Sequence, residues 1–112
     1  MTVSDQRRLR HILDQIARIN EYVVDGRTFF DSDPKTQDAV LHCLTVIGEA
    51  AGALSDDAYG QLPALPRQGA RGQRNIIVHW RIDPDIIWAT IINDLPDLAA
   101  EVSALLGPRD EV

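Results

Sequence analysis

The chain has 112 residues, 45% of them hydrophobic and 25% charged, and a net charge of −6 at pH 7. This predicts one globular domain, residues 1–112, with any site in a shallow groove or between subunits. The negative charge argues against non-specific nucleic-acid binding. There is no bilayer-spanning apolar stretch and no signal-peptide pattern, and a single cysteine, Cys43, excludes an internal disulfide. We therefore expect a cytoplasmic protein with no membrane partner.

The first predicted helix runs from Asp5 to Val24. Hydrophobic residues recur there at three- and four-residue spacing, the pattern of one buried helical face. These residues are Leu9, Ile12, Leu13, Ile16, Ile19 and Val23. Gly26 favours an end to this helix, and we expect Phe29 and Phe30 to anchor the connection that follows to the core.

The second predicted helix begins at Asp33-Pro34, an N-cap acid followed by the proline that suits the first helical position. It extends to about Leu54. Small residues in the range 48–53 would let another helix approach closely. Glu49 in this stretch is either a solvated helix residue or a buried acid paired with an arginine. The predicted buried face consists of Val40, Leu41, Leu44, Ile47, Ala51 and Leu54.

Glycine and proline residues mark 56–70 as a loop with at most one short helical turn, and a third helix is predicted from Gln68 to Trp80. No acidic residue lies between Asp57 and Asp83. A basic patch on an acidic protein can bind a polyanion at one place. Arginines that only solvate the surface would explain the charge equally well. The four arginines of this window are Arg67, Arg71, Arg74 and Arg81.

The fourth predicted helix begins at Asp83-Pro84, a second helix-start signal. Pro96 lies inside its apolar pattern and must kink or interrupt it. Gly107-Pro108 ends it. No segment alternates with period two for long enough to predict a strand. The sequence therefore predicts an all-α antiparallel bundle of four main helices, the last kinked at a proline. The apolar side of that helix is formed by Ile86, Ile87, Ile91, Leu95, Leu98, Val102 and Leu105.

The third predicted helix carries a group of residues typical of phosphodiester chemistry. Asn75 and His79 share one helical face, and the long side chain of Arg74, about 100° away, can reach around to the same ligand. Histidine can take a proton from a ribose 2′-hydroxyl or deliver one to a leaving oxygen. Arginine matches phosphate oxygens and stabilises the added negative charge of the transition state. Asparagine can orient the phosphate or hold the imidazole.

A single histidine makes a poor nuclease, because attack by a 2′-hydroxyl benefits from an acid and a base together. A two-fold axis at this helix would supply two copies each of His79 and Arg74, which favours a homodimer. The alternative is that His79 is a packed or surface histidine with no catalytic role.

The spacing Arg-x4-His, here from Arg74 to His79, resembles the signature of HEPN-domain ribonucleases. The similarity is greatest to the HepT-type toxins of bacterial and archaeal toxin–antitoxin pairs. Further segments resemble that family in the same order, within a similarity that extends from about residue 9 to residue 105. They are a glycine-glutamate segment at 47–51, a loop at 62–66 and the last helix at 82–96.

The resemblance implies a HEPN-like helical bundle that dimerises through its motif helices. It implies metal-independent RNA cleavage, with no cofactor, in a cleft shared by two protomers. Arg74 and His79 would be the catalytic pair and Asn75 a supporting residue. The implied partner is a minimal nucleotidyltransferase antitoxin. By charge, the candidate RNA-binding residues are Arg67, Arg71 and Arg81.

The chain departs from the family directly after the motif. The family pattern is His-x-Tyr, and in characterised members the antitoxin transfers AMP to that tyrosine. Here Arg81 stands two positions after His79, and the connection to Asp83 is about two residues short, as in a natural variant or an engineered deletion. We expect the modification site to be missing, activity to be reduced and His79 to be shifted. Arg67 also replaces the family's tryptophan after the loop proline.

This departure supports an alternative function: a catalytically weakened or silent HEPN module that acts by binding a nucleotidyltransferase partner. A third interpretation is a small helical nucleotide-binding protein. No metal site is predicted, since His42 and Cys43 are adjacent on a helix and point in different directions, with no further ligand at metal-site spacing. His11 and its neighbours Arg7, Arg8 and Arg10 are predicted as a solvated face, with an RNA contact as the alternative.

Overall fold

The computed structural model describes residues 1–65 and 83–107 of the chain. Throughout these two ranges the regular structure is helical, which confirms the all-α prediction. The third predicted helix, 68–80, lies outside the described residues. The helices are α1 (Val3–Tyr22), α2 (Arg27–Ser32), α3 (Pro34–Gly52), α4 (Asp56–Gly60), α5 (Pro84–Ala89) and α6 (Leu95–Leu106), and a π-helical turn, Thr90–Asp94, joins α5 to α6.

α1 begins two residues earlier than predicted because Thr2 and Asp5 form a capping box. The Asp5 N–H donates to Thr2 Oγ1 at 2.9 Å, and the Thr2 N–H donates to Asp5 Oδ2 at 3.1 Å. These bonds satisfy backbone N–H groups that have no partner inside the helix. The predicted hydrophobic face is confirmed. Leu9, Ile12, Ile16 and Ile19 are buried, with Leu13 and Val23 partly buried against them.

The connection after α1 contains the short helix α2, which follows Gly26 at a φ of 90°. Phe30 is 1% exposed, and its ring lies against that of Trp88 with 5.4 Å between centroids. Phe29 is 44% exposed, so the prediction that both phenylalanines anchor this segment is wrong for Phe29. Consecutive helical residues point about 100° apart, so only one of the two faces the core.

α3 begins at Pro34 as predicted and ends at Gly52, two residues before the predicted end. The Asp33 carboxylate accepts a hydrogen bond from the Thr36 hydroxyl at 2.5 Å. Glu49 is exposed, so its interpretation as a buried acid is wrong. The predicted face is buried except for Leu41, which is partly buried. α3 packs against α1 and α2, and α1 also packs against α6.

α4 supplies the short helical turn expected in the loop. Ser55 is its N-cap, and the Ser55 hydroxyl accepts from the Ala58 N–H at 3.2 Å. Ser55 also donates to Asp5 of α1, from its N–H at 2.9 Å and from its hydroxyl at 2.7 Å. These bonds, led by the backbone N–H of Ser55, hold the pKa of Asp5 well below its ordinary value. A charged carboxylate thus joins the start of α1 to the start of α4.

The last helical region begins at Pro84, as predicted, where Asp83 accepts from the Asp85 N–H at 2.8 Å. The predicted interruption near Pro96 is also confirmed: a π-helical turn separates α5 from α6. Proline lacks the N–H that an uninterrupted helix needs at this position, and a wider turn just before it accommodates the ring. Gly107, at a φ of 77°, ends α6. Among the described helices, none is long and apolar enough to cross a membrane.

Candidate functional site

The predicted catalytic residues lie outside the part of the chain that the structure describes. This applies to Arg74, Asn75 and His79, and equally to the candidate RNA-binding residues Arg67, Arg71 and Arg81. Their roles therefore stay predictions. The structure does show how the chain is held immediately before and after the segment 66–82 that carries them.

The chain is anchored to α6 just before this segment. Leu62 and Leu65 are buried in the core, and between them the Ala64 N–H donates to Glu101 Oε1 at 2.9 Å. A hydrogen bond to a charged acceptor is stronger than one between neutral groups. Glu101 therefore fixes the backbone about where segment 66–82 begins.

The chain is anchored again where this segment ends. Asp83 caps α5, Ile87 of α5 is buried, and Trp88 contacts Phe30. Arg27 of α2 forms ion pairs with both Asp85 and Asp31. These pairs are exposed, and exposed pairs contribute little to stability. The aromatic contact of Trp88 and the burial of Ile87 therefore contribute most to the position of α5.

A second polar feature lies along α1. Two adjoining depressions share Arg7 and His11 in their linings. The first follows α1 and also contacts Arg10 and Asp14. The second lies between α1 and α3. It is lined from α1 by Ser4 and Arg8 as well, and from α3 by residues that include Val46 and Glu49. We call the surface formed by Arg7, Arg8, Arg10 and His11 the α1 basic strip.

The described side chains do not assemble a metal site. His42 is exposed while Cys43 is 1% exposed, so the two adjacent residues do point in different directions, as predicted. Burial raises the pKa of the Cys43 thiol, which disfavours the reactive thiolate. Within residues 1–65 and 83–107, no three His, Cys, Asp or Glu side chains come together as metal ligands.

The sequence interpretation overlooked the roles of Asp5 and Glu101, two carboxylates that accept hydrogen bonds from distant parts of the described chain. Thr2-x-x-Asp5 is a capping-box pattern and could have been recognised as a helix start. No local pattern indicates that the same Asp5 also accepts from Ser55, or that Glu101 accepts from Ala64.

Comparison with known proteins decides the family. The sequence model of the family described as "Ribonuclease HepT-like" matches residues 12–105. The chain belongs to the HepT-like ribonuclease family. The resemblance drawn from the motif is thereby confirmed, and its extent agrees with the predicted range of about 9 to 105.

Individual relatives agree with this assignment. A protein of Methanocaldococcus jannaschii, named as a candidate RNase, is 34% identical over 102 residues, covering 88% of this HepT-like chain and 84% of its own length. A candidate ribonuclease HepT of Thermococcus cleftensis is 31% identical over 78 residues, or 68% and 71% of the two chains. A candidate RNase of Caldanaerobacter subterraneus is 30% identical over 102 residues, or 88% and 90%. No solved structure matches this chain.

Proposed function

We propose that this HepT-like chain is a metal-independent endoribonuclease toxin that cleaves RNA in a cleft between two protomers. The observation that carries the proposal is the family match over residues 12–105, a range that includes Arg74 and His79. The names of the relatives support the same class of activity.

The residue types of the motif account for each step of the reaction. His79 of one protomer takes the proton of a ribose 2′-hydroxyl, whose oxygen attacks the adjacent phosphorus. The bond from phosphorus to the 5′-oxygen breaks, and the imidazolium of the second protomer protonates that leaving oxygen. Arg74 stabilises the charge on the phosphate oxygens, and Asn75 orients the phosphate. The products are a 2′,3′-cyclic phosphate and a free 5′-hydroxyl.

The anchors at both ends of segment 66–82 suit this chemistry. Glu101 holds Ala64 on one side, and the Asp83 cap holds the start of α5 on the other. Supporting contacts of this kind reduce the freedom of a catalytic segment, and a preorganised geometry lowers the barrier.

The proposed partner is a minimal nucleotidyltransferase antitoxin. Since Arg81 stands where the family pattern has its tyrosine, AMP transfer at that position is excluded for this chain. The partner would therefore act by binding, or by modifying another residue.

The deciding experiment compares the purified chain with a His79→Ala variant on RNA, in the presence of a chelator. His42→Ala is the matched control, because His42 is an exposed helical histidine that is not part of the motif sequence. We expect wild type and control to cleave equally, and His79→Ala to lose activity by a factor of about 10²–10⁴, as expected for loss of a general acid–base. Equal cleavage by all three proteins would contradict the assignment of His79.

A second candidate function is a silent HEPN module that binds the antitoxin. The missing tyrosine and the shortened connection before Asp83 favour it. A growth-arrest assay separates the two functions by comparing this chain with a version that carries an inserted tyrosine two positions after His79. Arrest only with the version that carries the tyrosine supports the silent module, whereas arrest with both supports the nuclease.

A further inference from the structure

Basic residues are concentrated on the first helix. Outside the 57–83 window the chain contains seven Lys and Arg residues, and four of them lie in α1. Arg7, Arg8 and Arg10 fall within little more than one helical turn, next to His11. This is an unusual density of cationic groups for a chain with a net charge of −6.

Asp5, the acidic residue in the first turn of α1, is hydrogen-bonded to other partners. Asp5 is 2% exposed, and its oxygens accept hydrogen bonds from Ser55 and Thr2. The charge of Asp5 is therefore stabilised by hydrogen bonds within the protein. Within residues 1–65 and 83–107, neither Arg7 nor Arg10 takes part in an ion pair. Both guanidinium groups remain available to an external anion.

The shape of this surface suits an extended anion. Arg7 and His11 line both depressions, so the α1 basic strip contacts each of them. Arg7 and Arg10 are three residues apart on the helix, which separates their Cβ atoms by about 5–6 Å. This spacing lets them contact neighbouring phosphates of one strand. One carboxylate lines each depression as well, Asp14 in the first and Glu49 in the second.

We infer that the α1 basic strip binds the phosphate backbone of an RNA strand, as a contact additional to the cleavage motif. The inference rests on the proposed function, since the substrate of that reaction is a polyanion. Arginine forks pair well with phosphate oxygens, and such contacts add affinity without base specificity. The strip thus holds the strand, while the chemistry belongs to segment 66–82.

The test measures binding separately from cleavage. The probe is a fluorescent 2′-O-methyl RNA oligonucleotide, which binds as RNA does but has no free 2′-hydroxyl to react. Arg7→Gln/Arg10→Gln removes two exposed charges of the strip. Arg18→Gln/Lys35→Gln is the control, because it removes two exposed charges that lie outside both depressions. Fluorescence anisotropy is recorded over a series of salt concentrations, and circular dichroism checks the fold.

We expect the strip variant to bind about tenfold more weakly at low salt. The slope of log Kd against log salt should fall by about 1.4, or ~0.7 for each phosphate that an arginine no longer neutralises. The control should keep the wild-type slope. Equal weakening of both variants would show that only net charge matters and would overturn the inference.

The binding and cleavage experiments together show whether the proposed nuclease function, the proposed RNA contact or both are wrong. If wild type cleaves RNA but the strip variant binds the probe as wild type does, only the strip is misassigned. If the strip variant loses binding while wild type does not cleave, the strip is supported and the nuclease is not. A strip variant that keeps RNA binding but loses a nucleotidyltransferase partner would identify the strip as a protein-docking surface and refute RNA binding. A wild type that neither binds nor cleaves RNA would refute both proposals.

Discussion

The carboxylate of Asp5 accepts hydrogen bonds from both the backbone N–H and the hydroxyl of Ser55, a residue 50 positions further along the chain. The same carboxylate caps α1, and Ser55 caps α4. The capping box of α1, formed by Thr2 and Asp5, is therefore hydrogen-bonded directly to the N-cap of α4, which places α4 against α1.

Replacing Ser55 by Ala should destabilise the fold by about 1–2 kcal/mol, because α4 loses its N-cap and Asp5 loses one donor. Chemical denaturation followed by circular dichroism measures this change. Ser103→Ala is the control, since Ser103 is an exposed serine in α6. Equal stability of the two variants would mean that the bonds of the Ser55 hydroxyl do not form in solution.

Acid should weaken the fold through Asp5. The pKa of Asp5 in the folded protein lies below its ordinary value of 3.8 because Ser55 and Thr2 donate to the ionised carboxylate. A lowered folded-state pKa contributes stability that is fully present above pH 3.8 and is lost as the pH falls toward the folded-state value. The free energy of unfolding of wild type and Asp5→Asn, measured from neutral pH down to acid, should therefore converge. If the free energies of unfolding of the two proteins differ by the same amount at every pH, the protonation of Asp5 does not cause the loss of stability in acid.

Glu101 should support both stability and RNA cleavage, since it holds the Ala64 N–H at the start of segment 66–82. Glu101→Ala leaves this partly buried donor without its acceptor and should cost about 1–3 kcal/mol. It should also lower the cleavage rate of a fully folded sample. Glu101→Gln keeps an acceptor oxygen and should retain most of both properties. If the alanine and glutamine variants behave alike, the hydrogen bond is not what anchors the segment.

The two adjacent phenylalanines should respond very differently to truncation. Phe30→Ala removes a buried ring that packs against Trp88 and should cost about 3–5 kcal/mol. Phe29→Ala removes a largely exposed ring and should change stability by no more than about 0.5 kcal/mol. Thermal and urea unfolding measure both variants. A large loss for Phe29→Ala would instead reveal a partner that covers this position.

Much of the helical architecture was predictable because it depends on local signals. Proline at positions 34 and 84 marks a helix start by its fixed φ and its missing N–H, and both helices begin at those residues. The interruption before Pro96 follows from the same missing N–H. The family could also be recognised, because its motif and its other segments occur in a characteristic order over most of the chain.

The amino-acid sequence by itself determined the helical class and the helix starts at Pro34 and Pro84, since these depend on residues close together along the chain. It also determined membership of the HepT-like family, through the order of its segments. Only the tertiary structure decided that Phe30 rather than Phe29 is buried, that Glu49 is exposed, and that Asp5 and Glu101 bind Ser55 and Ala64. Burial and long-range hydrogen bonds depend on how helices pack against one another. Helical periodicity gives the spacing of side chains around an axis, but not which neighbour they meet.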